Sequence, residues 1–263
     1  MLRLIKRAKD EGMYVALSTN GIILNERYVE LLKSSGLHAI QVSLDSSDPA
    51  ENDALRGSFH MALRGASSAA SASITTSISC TVTEINPRAL GIVELAMNVG
   101  VKEVSFIALQ QLGRARGRLS LSHKRASDFL RALSRLLSSY PHAINGFRFY
   151  LDEESFRLAA RETASLPGFF TCPAGRTHMA IDWKGDVYGC DLLISPRYKG
   201  RSVLINSLKN GGKRLLAVQE MASESVRKMS IFPNLPRRLP VRAHYAGTST
   251  DPLCTFHPRS RST

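Results

Sequence analysis

The sequence predicts an α/β fold: a partial parallel (β/α) barrel lacking its first β/α unit, followed by a smaller cysteine-bearing domain with a β-hairpin. Three observations predict it. Over the first half, β-rich and helical segments alternate at a spacing of roughly 25–30 residues, and strands separated by helices pair in parallel through right-handed crossovers. Polar clusters follow the strands: "STNG" after the first, "SLD" after the second and "QQLGRARG" after the fourth. In parallel sheets and barrels, ligands sit at those carboxyl ends. After Gly168 the pattern changes to the two-residue alternation of a hairpin.

Each element has a local reason. "MLRLIKRAKDEGMYV" begins the chain as an amphipathic helix. "MYVALS" (13–18) is β-rich and stops at the turn signal "TNG". Residues 25–36 are helical, with Asn25 as N-cap and Gly36 as the stop. "HAIQVSLD" (38–45) is the second strand. Residues 48–57 form a short helix with Pro49 at its first position. "ASSAASASI" (66–74) is small-residue-rich yet helical, and "TTSISCTVTE" (75–84) is the third strand. Asn-Pro opens a helix over 86–100 that Gly100 closes, and "KEVSFIAL" (102–109) is the fourth strand. An amphipathic helix starts near 121, and "GFRFYLDEES" holds a further strand. "HMAIDWKGDVYGC" reads as a hairpin turning at "WKGD". The expected division is 1–166 for the partial barrel, 167–256 for the second domain and 257–263 for a frayed tail. The chain opens on a helix, so its first strand should have a parallel partner before it, and the sequence contains none.

Composition narrows the function classes. The chain has 263 residues, 43% hydrophobic and 22% charged, an ordinary globular balance. No run of about 18 apolar residues suggests a membrane span. The first residues lack the apolar core of a secretory signal, and four scattered cysteines do not make a disulfide framework. A cytoplasmic location is the expectation. The net charge of +13 raises nucleic acid as a partner. The basic residues are dispersed and do not alternate with stacking aromatics, which argues against it. A basic surface or an anionic substrate accounts for the charge better.

Few residues stand out as chemistry. Cys172 and Cys190 bracket the hairpin, and Cys254 lies near the end. Cytosolic thiols or metal ligands fit them, while buried apolar cysteines are the alternative. Cys80, mid-strand, reads as core. Thr19, Asn20 and Gly21 form a turn that needs positive φ or touches a ligand. Asp45 caps the segment after it. Asp182 and Asp186 stabilise the hairpin turn, Gly113 and Arg114 lie at a strand end, and His178 and His244 are isolated. No Ser-His-Asp or paired-carboxylate arrangement emerges.

"LSTNG…LLKSSGLHAIQVSLDSSDPAENDALRG" resembles the middle of a radical S-adenosylmethionine (radical SAM) enzyme. In that family a "TNG" turn, an "SLD" strand end and an "(H/N)Dx(x)RG" helix follow in this order. "TVTEIN…GRARG" resembles the strand-helix-strand that comes next. The hairpin resembles the opening of a SPASM domain, in which a cysteine, a glycine and a second cysteine are spaced as Cys172, Gly185 and Cys190 are here. "VRAHYAGTSTDPLC" resembles the closing segment of SPASM enzymes that modify tetrapyrrole side chains.

The resemblance implies a reduced [4Fe–4S] cluster that cleaves S-adenosylmethionine to a 5′-deoxyadenosyl radical. It implies Thr19, Asn20, Ser43 and Arg56 as cofactor contacts, the last two on the methionine carboxylate. It implies Cys172, Cys190 and Cys254 as ligands of an auxiliary [4Fe–4S] cluster. The implied reaction is oxidation or decarboxylation of a tetrapyrrole, or modification of a peptide. The sequence departs from the family in three ways. It has no CxxxCxxC, no "GGEP"-type segment, and no thiol in "KMSIFPNLPRRLPVR" where central SPASM cysteines are expected. A truncated or split reading frame completed by a separate polypeptide would account for this. So would a catalytically inactive homologue that binds S-adenosylmethionine or a peptide.

Overall fold

A computed structural model gives the fold and describes residues 1–109, 115–137, 144–148, 179–191, 194–200 and 202–204. The chain divides into two compact units, Met1–Pro167 and Gly168–Pro252. In the first unit the order is α1 (Leu2–Asp10), β1 (Ala16–Thr19), α2 (Glu26–Ser34), β2 (Ala39–Ser43), α3 (Pro49–Leu55), α4 (Phe59–Ser71), β3 (Thr75–Val82), α5 (Ile92–Asn98), β4 (Glu103–Ala108), α6 (His123–Leu137) and β5 (Ile144–Arg148). The five strands form one sheet in sequence order, and every neighbouring pair is parallel. This is the topology of a partial (β/α) barrel, as expected, with β5 as a fifth strand at the start of "GFRFYLDEES".

The period-two pattern of the strands splits the sheet into two chemically different faces. Ile40, Val42, Ile78, Cys80, Val82, Val104, Phe106 and Ala108 are buried and belong to one core with residues of the helices. Val29 and Leu32 of α2, Ala62, Ala66 and Ala69 of α4, and Phe129 and Leu133 of α6 pack into that core. Phe106 and Phe129 meet edge to face, with centroids 5.1 Å apart. Most of the alternate positions are polar. The register sets Ser18, Gln41, Ser77 and Glu103 in one row across four strands, and Ser43, Ser79 and Ser105 in the next.

Local signals explain most boundaries. The Asn25 side chain accepts from the Tyr28 amide at 2.9 Å and starts α2. Asp48 caps α3 through the Ala50 and Glu51 amides, with Pro49 in the first turn. Asp45, expected to be a cap, is instead buried and does not cap α3. The helix expected over 66–74 starts seven residues earlier, at Phe59, and ends at Ser71. Its start is fixed by tertiary contact: the Phe59 amide donates to Asp53 Oδ1 of the preceding helix at 2.8 Å. The helix expected over 86–100 is a 3-10 turn, Ala89–Gly91, followed by α5. Asn86 does not open it; its side chain turns inward to other strand ends. Among the described residues no helix is long and apolar enough to cross a membrane.

The second unit contains β6 (Ala180–Ile181) and β7 (Val187–Tyr188), an antiparallel pair. Asp182 Oδ1 accepts from the Lys184 and Asp186 amides, each at 2.9 Å, and organises the turn. Gly185 adopts φ +80, where a side chain would also strike Leu204. Buried Asp186 pairs with Lys199 at 2.7 Å. The turn role expected of Asp182 agrees with these contacts, whereas the Asp186 carboxylate is directed to Lys199 outside the hairpin.

Candidate functional site at the carboxyl ends of the strands

Parallel topology brings the ends of β1 to β3 to one edge of the sheet. Thr19 and Asn20 stand at the end of β1, and both side chains serve the turn. Thr19 Oγ1 accepts from the Gly21 amide at 3.1 Å and Asn20 Oδ1 from the Ile22 amide at 3.3 Å. Gly21, at φ +77, lies against α4: a Cβ there would come within 2.8 Å of Val42 Cγ1 and 3.2 Å of the Ala62 backbone. The turn reading of "TNG" therefore describes its local bonding, and the loop is wedged in place at the mouth of the sheet.

Ser43 ends β2 and is half-buried. Its register partner Ser79 is 7% exposed. Neither hydroxyl hydrogen-bonds to a described residue. Buried hydroxyls are ordinarily satisfied, so the orphan at Ser79 marks a place for a polar partner. Towards the amino ends of the strands, the same face opens a cavity of about 350 Å³ whose lining includes Tyr14, Ser18, Gln41, Ser77 and Glu103.

Arg56 lies just past α3 and reaches back to the strand ends. Its Nε donates to Asp45 Oδ2 and its Nη2 donates to Thr81 Oγ1 at 3.3 Å. Asp45 is held from every side. Its other carboxylate oxygen accepts from the Thr81 amide at 2.7 Å. Its amide donates to Asn52 Oδ1 at 3.0 Å, and its carbonyl accepts from Asn86 Nδ2 at 2.5 Å and Cys80 Sγ at 3.3 Å. Burial pushes the Asp45 carboxyl above its ordinary value, against the pull of Arg56 and the Thr81 amide. Burial also drives the Cys80 thiol well up, so it stays a protonated core donor. Asn86 completes the frame by donating to the Thr81 carbonyl at 2.8 Å and accepting from the Thr83 amide at 2.8 Å.

The structure thus gathers Thr19, Asn20, Ser43 and Arg56 on the carboxyl-end side of one sheet. It adds Asp45, Thr81 and Asn86, whose part was not read from sequence. The signal for Asp45 was its place two residues after Ser43, on the same side of the chain. Of the cysteines expected to bind iron, Cys190 is half-buried and donates to Asp191 Oδ1 at 3.2 Å. Cys172 and Cys254 lie outside the described residues, as do Gly113, Arg114, His178 and His244. No group of three or more His, Cys, Asp or Glu residues suited to a metal ion occurs among the described residues.

Comparison with known proteins places this geometry. Residues 1–96 match the family described as the Radical SAM superfamily. The mycofactocin maturase MftC of Mycobacterium ulcerans is 31% identical over 206 residues, 76% of this chain and 54% of that protein. The AdoMet-dependent heme synthase of Nitratidesulfovibrio vulgaris is 31% identical over 118 residues, 43% of this chain and 32% of its own. The chain spans about half the length of the MftC relatives it matches. Among solved structures, Streptococcus suis SuiB shares the fold at a TM-score of 0.62 and 15% identity, over 79% of this chain and 50% of SuiB. SuiB bound to S-adenosylmethionine gives 0.59 at 13% identity, over 79% and 49%. SuiB bound to its precursor peptide SuiA gives 0.58 at 14% identity, over 90% and 53%. The "TNG"–"SLD"–"RG" order at the carboxyl ends of the parallel sheet falls within the residues that match the Radical SAM superfamily, and the sheet shares its fold with SuiB.

Proposed function

We propose that the carboxyl-end loops of the first unit bind S-adenosylmethionine, and that the chain forms the nucleotide- and substrate-binding body of a radical SAM/SPASM iron–sulfur protein acting on a peptide. The observation that carries this is the pairing of unsatisfied hydroxyls with a tethered cation at one sheet edge. Ser43 offers a hydroxyl without a described partner. Ser79 beside it is buried and equally unmatched. Arg56 keeps its Nη1 edge without a partner among the described residues. An amino-acid carboxylate is matched by such a set through charge-assisted hydrogen bonds. Thr19 and Asn20 act by shaping the loop at the nucleotide, through the turn bonds they already make.

The fit of the implied iron differs between the two clusters. The sequence supplies no CxxxCxxC, so its residues do not form a radical-cluster loop. For an auxiliary cluster, Cys172, Cys190 and Cys254 offer three thiolates, one fewer than an all-cysteine site uses. When bound, such a cluster would supply one-electron chemistry. The chain's own part is to hold the nucleotide, orient the substrate along the polar face and keep charge balanced at Arg56.

A peptide suits the polar face better than a tetrapyrrole. Rows of hydroxyls and the Gln41 amide complement the donors and acceptors of a peptide backbone. SuiB, whose fold the chain shares, is solved with the precursor peptide SuiA, and the mycofactocin maturase relatives align over more of this chain than the heme synthase does. Equilibrium dialysis with radiolabelled S-adenosylmethionine tests the cofactor reading; saturable binding at one site per chain is expected, and its absence refutes it. Anaerobic reconstitution with iron counting separates the two remaining readings. Iron retained through Cys172, Cys190 and Cys254 supports an iron–sulfur protein. Nucleotide binding without iron makes the chain a catalytically inactive binding module.

A further inference from the structure

The carboxylate-binding reading of Arg56 leaves open what keeps a side chain from the end of a short helix aimed at the strand ends. Arginine has about five donors in a rigid planar fork and substantial rotamer freedom. Here two of those donors are committed inside the protein, Nε to Asp45 and Nη2 to Thr81. Asp45 is 4% exposed and fixed by bonds to α3, β3 and the loop after β3. The Arg56 side chain is 35% exposed, so the remaining edge of the guanidinium reaches solvent. A buried charge with one rigid partner is costly to leave unpaired, which holds the arginine in this pose.

Resting on the reading that this edge binds S-adenosylmethionine, we propose that Asp45 is the positioning residue of the site. It fixes the guanidinium by the Nε end so that the Nη1 edge meets the amino-acid carboxylate of the nucleotide. Asp45 itself touches no ligand. Its buried charge also sets specificity. With Arg56 in place the pair is neutral and accepts an anion. Without Arg56 the site has lost the cation that receives a carboxylate.

The test compares two nucleosides that differ in the amino-acid arm. S-adenosylmethionine carries the carboxylate; 5′-methylthioadenosine lacks it. Binding of each to the full chain is measured by equilibrium dialysis for wild type, Asp45→Asn, Arg56→Lys and Arg56→Met, with a thermal melt for each. Asp45→Asn and Arg56→Lys should each weaken S-adenosylmethionine binding by about tenfold, the scale of one charge-assisted hydrogen bond, and leave methylthioadenosine unchanged. Arg56→Met, which leaves Asp45 unpaired, should lose more than Arg56→Lys. Equal losses for both nucleosides, or no loss for either, would overturn the proposal. Wild-type protein that binds neither nucleoside would overturn the nucleotide reading and this inference with it. Should Asp45→Asn not fold, the arginine side-chain Nε–H resonances of wild type decide the matter. One, identified by its loss in Arg56→Lys, should exchange slowly with solvent; rapid exchange would refute the tether.

Discussion

Replacing Gly65 by alanine should destabilise the protein, although the change is one that ordinarily strengthens a helix. Gly65 lies inside α4, where glycine costs about 1 kcal/mol relative to alanine. On propensity alone Gly65→Ala would gain that amount. The structure opposes it. A Cβ at Gly65 would sit 2.5 Å from the Gly21 carbonyl oxygen and 2.8 Å from Leu24 Cβ. Gly21 cannot retreat easily, because it packs closely on Val42 of β2 and on the Ala62 backbone of the same helix. Either the turn or α4 must move, and overpacking of this kind costs about 1–3 kcal/mol. The net expectation is a loss of up to about 2 kcal/mol. For a unit of this size that lowers Tm by up to about 8 °C. Urea denaturation should show a lower midpoint with an unchanged slope. Because the displaced turn carries Thr19 and Asn20, affinity for S-adenosylmethionine should fall as well. A raised midpoint would show that α4 does not press on the "TNG" turn and would refute the packing argument.

Asn86→Ala should cost about 2–4 kcal/mol in urea denaturation, since it removes a donor from the Asp45 and Thr81 carbonyls and the acceptor of the Thr83 amide in the interior; a loss below about 1 kcal/mol would show that the strand ends do not depend on this bridge. Glu84 accepts from Ser122, and that bond and Arg125 hold its carboxyl below the ordinary range. A lowered folded value adds stability that is present above the unfolded pKa and lost as pH falls through the folded one. The stability gap between wild type and Glu84→Gln should therefore narrow between about pH 6 and about pH 3, and a widening gap would contradict the assignment. In the second unit, Gly185→Ala forces a side chain into φ +80 against Leu204. It should cost about 1–2 kcal/mol and raise amide exchange around the hairpin turn; wild-type exchange rates would show that the turn tolerates a side chain.

The sheet was legible because its elements obey local rules. Strands carry β-branched residues at alternate positions, Asn25 and Asp48 cap, and glycines stop helices. The same alternation also held the site in plain view, since polar residues recur on one face: Gln41 and Ser43 in β2, Ser77 and Ser79 in β3, Glu103 and Ser105 in β4. Illegible features depend on partners distant in sequence. Asn86 looks like an N-cap beside Pro87, but its side-chain amide goes to Asp45, 41 residues away. The start of α4 follows from Asp53 reaching the Phe59 amide, which no helix propensity encodes. Asp45 and Arg56 could each be noticed singly. Their pairing required knowing that α3 folds back onto the ends of β2 and β3.

Hydrogen–deuterium exchange of the full chain with and without S-adenosylmethionine tests the central claim most directly. Protection should appear in the segments around Thr19–Gly21, Ser43–Asp45 and Thr81–Asn86, while the opposite ends of the strands, near Ala39 and Thr75, remain unchanged. Ligand-dependent protection confined to those amino ends, or none at saturating nucleotide, would contradict a cofactor site at the carboxyl edge of the sheet.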